Sequence, residues 1–212
     1  QTGRSLPKVC DPLLDKFVSS SFLTQKLVFQ RYKNAIEARE LKLAHYLYEK
    51  IIEESVKNKA KRWLDVSENS KLTRDAAIFN EVALKAQHEL FIYAIKRLIN
   101  KDINEGIAVW GNNKHKEGLS EAQKYRVDRK IALQLAFNKS AQAYAHFSQL
   151  KQLDAITRIW AVRAALSEQN WEHVQQALDK LTVNEKAKER WRYWQAKAFL
   201  QNGQQEKGLE IF

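Results

Sequence analysis

A chain of 212 residues that is 44% apolar, with only 6 glycines and 2 prolines, is long enough for one large domain or two small ones, and is too poor in turn formers for a β-sandwich or α/β fold of that size. Its 36 Lys and Arg against 25 Asp and Glu give a formal charge of +11, which favours anionic partners. A single cysteine, Cys10, excludes an internal disulfide and a zinc ribbon, and no apolar run approaches the roughly 18 residues of a membrane helix.

Residues 1–11 read as a loop, and Asp11-Pro12, an N-cap followed by proline at the first helical position, starts a helix to about Val18. Ser19 to Ser21 is a turn. A basic amphipathic helix is predicted from Thr24 to Ile36, then helices from Leu41 to Glu54 and from Ser55 to Val66. Ser67 to Ser70 reads as a break. Thr73-Arg74-Asp75 opens a long helix through Gln87, and Glu89 to Ile99 forms the next. Asp102 to Trp110 is short, with Gly111-Asn112-Asn113 as its stop; Gly111 to Gly118 is the best internal loop and the looser internal boundary. Ser120 with Glu121 caps a helix to about Phe137, and Ser140 opens another.

The last quarter of the chain repeats itself. Trp191, Trp194, Ala198 and Leu200 to Gln201 trace one helical stripe, and Gly203 stands where a C-cap takes the left-handed conformation. Ala196 and Ala198 are small enough for a neighbouring helix to come close. Trp160, Ala164, Leu166 and Glu172 lie 34 residues before Trp194, Ala198, Leu200 and Glu206, and Asn170 falls one residue from the place of Gly203. A weaker copy runs through Ala132, Leu133, Ala136, Phe137 and Ala141 to Phe147. A 34-residue period of paired helices is that of a tetratricopeptide-like stack, in which each pair buries its apolar face against the next. With good helix formers throughout and no alternating β-branched run, the chain reads as all-α: an α-α superhelix of short antiparallel helix pairs.

Chemistry is sparse. The histidines His45, His88, His115, His146 and His173 are scattered without zinc-protease spacing, and no phosphate loop or nucleophile elbow occurs. The carboxylate pairs Glu53-Glu54 and Asp102 with Glu105 lack a local apolar pocket that would set up acid–base work. No catalytic residue, cofactor or metal ligand is predicted. Trp160 and Trp194, at equivalent repeat positions, are expected in the core, and Trp110, beside a glycine–asparagine turn, at the surface. Cations cluster at Lys57, Lys59, Lys61 and Arg62, at Lys114 and Lys116, and at Lys186, Lys188, Arg190 and Arg192. Cys10 is either a small buried residue or half of a disulfide with a partner upstream. The absence of methionine, the start at Gln1 and an apolar face unfinished at Phe212 set the expectation of a piece of a longer protein.

Lys188-Glu189-Arg190-Trp191-Arg192-Tyr193-Trp194-Gln195-Ala196, with Gly203 and Glu206, resembles the helical region of soluble lytic murein transglycosylases. Ile156 to Leu166 with Leu178-Asp179-Lys180-Leu181 resembles the repeat before it, and Thr2 to Pro7 with Cys10-Asp11 and Leu13-Leu14 an internal stretch of the same proteins. The middle, including Leu72 to Asp75 and Gln123 to Phe137, fits more loosely. The resemblance implies that residues 1–212 are part of a periplasmic U-shaped superhelix that wraps glycan strands. A separate C-terminal lysozyme-like domain, absent from this chain, would cleave the β-1,4 bond between N-acetylmuramic acid and N-acetylglucosamine to a 1,6-anhydromuramoyl end, with one glutamate and no metal or cofactor. The family's glutamate–serine pair comes with Gly-Leu-Met-Gln and Ala-Tyr-Asn type motifs. Glu54-Ser55 lacks both and reads as coincidence. The family often pairs the cysteine of the Cys-Asp motif with one upstream.

The expected partner is peptidoglycan, whose peptide stems and lactyl groups carry carboxylates; a monomer is expected, with no nucleic-acid partner. Candidate contacts to this anionic polymer are Lys186, Lys188, Arg192 and Trp110. The alternatives are a tetratricopeptide-like module that binds a protein segment in its groove, marked by polar, amide-binding residues there, and a basic nucleic-acid binder, for which no motif is present.

Overall fold

The computed structural model describes residues 3, 16, 24–74, 84–115 and 118–211, with side chains throughout except at 84–86. The expected N-terminal loop and helix, Cys10, and the opening of a helix at Asp75 lie outside the described residues. Those described form twelve α-helices and one 3₁₀ turn, with no strand among them. The chain divides into two compact units, Gln1–Lys101 and Asp102–Phe212.

The first unit contains α1 (Gln25–Glu37), α2 (Leu41–Glu49), α3 (Glu54–Glu68), the 3₁₀ turn Ser70–Arg74 and α4 (Leu84–Lys101). Thr24 caps α1, its hydroxyl accepting from the Leu27 amide at 3.3 Å. Arg39, left-handed at φ 64°, ends α1, and the Glu40 amide donates back to the Ala35 carbonyl at 2.9 Å, a Schellman closure that turns the chain into α2. Val28, Tyr32, Ala35 and Ile36 of α1 then meet Ala44 and Leu47 of α2, Ala60, Trp63 and Leu64 of α3, and Leu90 and Ala94 of α4. Burial of the phenol is matched by a hydrogen bond from the Tyr32 hydroxyl to the Ala60 carbonyl at 2.6 Å.

Three expected boundaries move here. α2 stops at Glu49, because Gln25 of α1 holds the connection: its Oε1 accepts from the Ile52 amide at 2.9 Å, and Ile51 is buried while Ile52 points out. α4 runs unbroken through His88, where a break had been expected. α3 likewise continues past Ser67, which is buried and accepts on its carbonyl from Arg97 Nη2 at 2.6 Å.

The second unit holds α5 (Ile103–Asn113), α6 (Glu121–Phe137), α7 (Ala143–Ser148), α8 (Ala155–Glu168), α9 (Trp171–Asp179), α10 (Val183–Lys186), α11 (Glu189–Gln201) and α12 (Gln205–Ile211). Helices α6 with α7, α8 with α9 and α11 with α12 pack as successive pairs. Five of the N-termini are capped by polar side chains: Asp102, Ser120, Asp154, Asn170 and Thr182 each accept a backbone N–H of the first turn. Ser120 and Thr182 form full capping boxes with Gln123 and Glu185.

At the C-termini, Lys139, Gln169 and Gly203 are left-handed at φ 54°, 56° and 76°. The 34-residue equivalent of Gly203 is therefore Gln169. Asn170, suggested for that role by its side chain, caps the start of α9 instead, accepting from the His173 amide at 3.1 Å. Interfaces between helices are built on buried alanines: Ala161, Ala164 and Ala165 in α8, Ala177 in α9, and Ala196 and Ala198 in α11. A Cβ on Gly208 of α12 would lie 2.7 Å from Leu200 Cγ and 3.1 Å from the Ala196 carbonyl oxygen, so the two last helices touch where only small residues fit.

The tryptophans sort differently from expectation. Trp110 is 2% and Trp191 3% exposed. Trp160 and Trp194 are only half-buried. Trp160 takes the edge of Phe137 at 4.6 Å and the Arg163 guanidinium at 4.7 Å, and Trp194 takes Tyr193 at 5.1 Å and the Lys197 ammonium at 5.5 Å. The equivalence of these two tryptophans holds, but as repeated cation-covered rings at the edge of each pair rather than as core.

Candidate functional site

Two clefts of the second unit adjoin at Leu150, Lys151 and Gln152, and together they are called the groove. The first, about 660 Å³, lies between Lys114 and His115 after α5, the first turns of α6 (Glu121, Lys124, Tyr125, Arg126, Asp128) and Gln149 to Gln152. The second, about 450 Å³, continues past Tyr144 and Phe147 of α7 to Arg158 and Ala161 of α8 and Gln176 and Lys180 of α9. The first turns of α6, the connection from α7 to α8 and the C-terminal end of α9 meet here.

Electrostatics fix the walls. Glu121 accepts from Lys151 at 2.5 Å and Lys124 at 3.1 Å, and these two lysines hold its carboxyl below the usual range. Asp154, the cap of α8, is held down to about 2, first by Arg129 at 2.5 Å. Glu185 is likewise held to about 2 by the Arg158 fork, with Nε at 2.9 Å and Nη2 at 3.0 Å. Both arginines belong to the first helix of one pair and reach an acid at the N-terminal cap of a following helix, so each clamp ties successive elements together. Asp128 accepts the Trp110 indole N–H at 2.6 Å, and burial pushes the Tyr144 phenol up while its hydroxyl donates to Gln176 Oε1 at 3.2 Å.

The residues singled out from sequence are not gathered at this groove. Lys186 lies in α10, 3.8 Å from Asp179. Lys188 is the N-cap position of α11, and Arg192, one turn on, donates from Nη2 to the Ile211 carbonyl at 2.7 Å. These three share one end of the α10–α11 region and line neither cleft. Trp110 does not join them. Its expected exposure is overturned, because Gly111 and Asn112 continue α5 to Asn113 instead of stopping it, which buries the indole against α6. Of the groove's cations, the sequence singles out Lys114 as part of a cluster, while the Ser120 cap marks the start of the helix that forms one wall. Lys151, Gln152, Arg158 and Gln176 come together only through the stacking of two successive pairs.

Other chemistry is dispersed. Glu54 opens α3 on an exposed surface, and the Ser55 hydroxyl donates to Glu53 at 2.5 Å. His45 meets Glu68 at 2.9 Å, and His173 meets Glu168 at 3.0 Å under the Tyr144 ring. Burial lowers the His146 pKa. Among the described residues no group of three or more His, Cys, Asp and Glu is placed to hold a metal ion, and no helix is long and apolar enough to cross a membrane.

No family model matches the chain, and no curated protein does. Solved structures do. An inactive mutant of lytic transglycosylase Slt from Pseudomonas aeruginosa is similar over 99% of this chain and 34% of its own, with a TM-score of 0.81 at 24% identity. The 70-kDa soluble lytic transglycosylase, solved in complex with bulgecin A, is similar over 99% of this chain and 34% of its own, with a TM-score of 0.78 at 20% identity. The chain thus spans about a third of the length of these proteins. Its fold is that of a stretch of soluble lytic transglycosylases, as the resemblance in the residues suggested.

Proposed function

We propose that the chain is a non-catalytic part of the helical scaffold of a periplasmic soluble lytic transglycosylase, where it supports the enzyme and guides peptidoglycan strands. The parent cleaves the bond between N-acetylmuramic acid and N-acetylglucosamine and leaves 1,6-anhydromuramoyl ends, by means of a lysozyme-like domain. The observation that carries this reading is the likeness over 99% of the chain at a TM-score of 0.81 to about a third of a lytic transglycosylase. The formal charge of +11 supports it, since the polymer is anionic.

The test uses the product of the full reading frame. Reversing Lys186, Lys188 and Arg192 to glutamate, which these positions tolerate because they are at or near the surface, is expected to weaken retention on purified sacculi, more so at low salt. Unchanged retention removes these three residues from the strand-guiding role. A reading frame that lacks a lysozyme-like segment of roughly the size of a small domain removes the transglycosylase reading itself.

A second reading is a tetratricopeptide-like module for protein segments. One observation favours it: Gln149, Gln152 and Gln176 place amides along the groove. Capture of a specific protein segment by the groove, with no retention on sacculi, would select it.

A further inference from the structure

We propose that the groove shared by the two clefts of the second unit binds the acidic peptide stems of the wall polymer, with stem carboxylates at Lys114 and Lys180 and stem peptide groups at Gln149, Gln152 and Gln176. The proposal rests on the transglycosylase reading above and adds to it a site and the moiety bound there.

Charge is the first observation. Six Lys and Arg side chains line the two clefts against two carboxylates, Glu121 and Asp128. Both carboxylates are already engaged. Glu121 is held between Lys124 and Lys151, and Asp128 accepts the Trp110 indole N–H at 2.6 Å. Lys114 and Lys180, at opposite ends of the groove, have no carboxylate partner among the described residues. An occupant with carboxylates at intervals along an extended chain answers this distribution.

The second observation separates a peptide from a bare sugar chain. Sugar rings are held by open aromatic faces, and no tryptophan lines either cleft. Of the two tyrosines there, Tyr144 already stacks on His173 at 4.5 Å and spends its hydroxyl on Gln176. What the groove offers instead are amide side chains and lysine donors. Amides pair with peptide N–H and C=O groups, and ammonium groups with carboxylates. The groove therefore suits the stems rather than the glycan backbone that carries them.

The experiment is fluorescence anisotropy on the full 212-residue chain. The probe is a fluorescein-labelled stem tetrapeptide of mixed L- and D-residues with free carboxylates. Comparison ligands are the same peptide with its carboxylates amidated, chitotetraose as an uncharged glycan competitor, and an all-L acidic peptide of equal charge. We expect the free-acid stem to bind in a salt-dependent way, the amidated stem about tenfold more weakly, and chitotetraose not to compete. Lys114→Glu with Lys180→Glu should weaken binding of the acid by about tenfold or more, two screened ion pairs being lost. If that double variant fails to keep the wild-type circular dichroism spectrum, Lys114→Gln with Lys180→Gln takes its place, with the same direction expected. Equal affinity for acid and amide, or for the folded variant and the wild type, overturns the groove. Absence of binding by both acidic peptides does so too, and leaves the scaffold reading to its own sacculus test. Tighter binding of the all-L peptide than of the stem overturns the stem assignment and counts against the transglycosylase reading.

Discussion

The two units bury their helices by different means. In the first, large rings fill the space between helices: Tyr32 is flanked by Phe29 at 6.1 Å and Tyr48 at 6.4 Å, and Trp63 packs on Tyr93 at 5.1 Å under the Lys33 ammonium. In the second, alanines let helices approach closely, and arginine–carboxylate clamps tie α6 to the start of α8, Arg129 to Asp154, and α8 to the start of α10, Arg158 to Glu185. A ring-filled core resists truncation poorly, whereas an alanine-lined seam resists enlargement poorly. The clamps also make the second unit answer to acid in a way that a ring-filled core does not. Because Trp63 is the single tryptophan of the first unit, a Trp63→Phe background lets fluorescence report the second unit by itself.

The largest contrast should come from Tyr32→Ala, which empties a fully buried ring site and should cost about 3–5 kcal/mol in urea unfolding of the first unit. Tyr32→Phe, which removes only the hydrogen bond to Ala60, should cost about 1 kcal/mol. If both variants cost the same, the ring is not what fills that core.

Enlarging the seam is next. Ala196→Leu, at a position with no exposure and directly beneath Gly208, should destabilise the second unit by about 1–3 kcal/mol. A neutral result would mean that α11 and α12 separate easily, against the close approach described.

Acid should then divide the units. The carboxyls of Asp154 and Glu185 sit at about 2, below their ordinary values near 4, because Arg129 and Arg158 favour the charged forms. A depressed folded-state pKa contributes stability that is fully present above the unfolded value and is lost as pH falls through the folded one. Thermal unfolding of the second unit should therefore weaken between about pH 4 and pH 2. Arg158→Ala should cost about 1–2 kcal/mol at neutral pH, the fork being only partly shielded from water, and should flatten that slope. A slope unchanged in the variant would remove the clamp from the account. The smallest effect is expected from Gln169→Gly, which relieves a left-handed non-glycine residue and should stabilise by up to about 1 kcal/mol.

What could be read from the sequence was local or periodic. Thr24, Asp102 and Ser120 announce helix starts because a cap acts within three residues, and the 34-residue echo of Trp160 in Trp194 exposes the pairing because each pair meets the same neighbour. The likeness of Lys188 to Ala196 to a known helical region led to the same fold that the structure displays. What stayed hidden is long-range. Gln25 ends α2 from 27 residues away, by holding the Ile52 amide. Glycine and asparagine after Trp110 suggested a stop, but Asn113 Nδ2 donates to the Val109 carbonyl at 2.7 Å inside the continuing helix, and the indole turns inward to Asp128. The groove draws on residues from Lys114 to Lys180, so no window of sequence contains it.

The central claim, that this chain belongs to the scaffold of an enzyme that cuts the wall polymer, is tested most directly by mass spectrometry of sacculi treated with the product of the full reading frame. Muropeptides ending in 1,6-anhydromuramic acid are the predicted product. Release of reducing-end fragments alone, or of nothing, would contradict it.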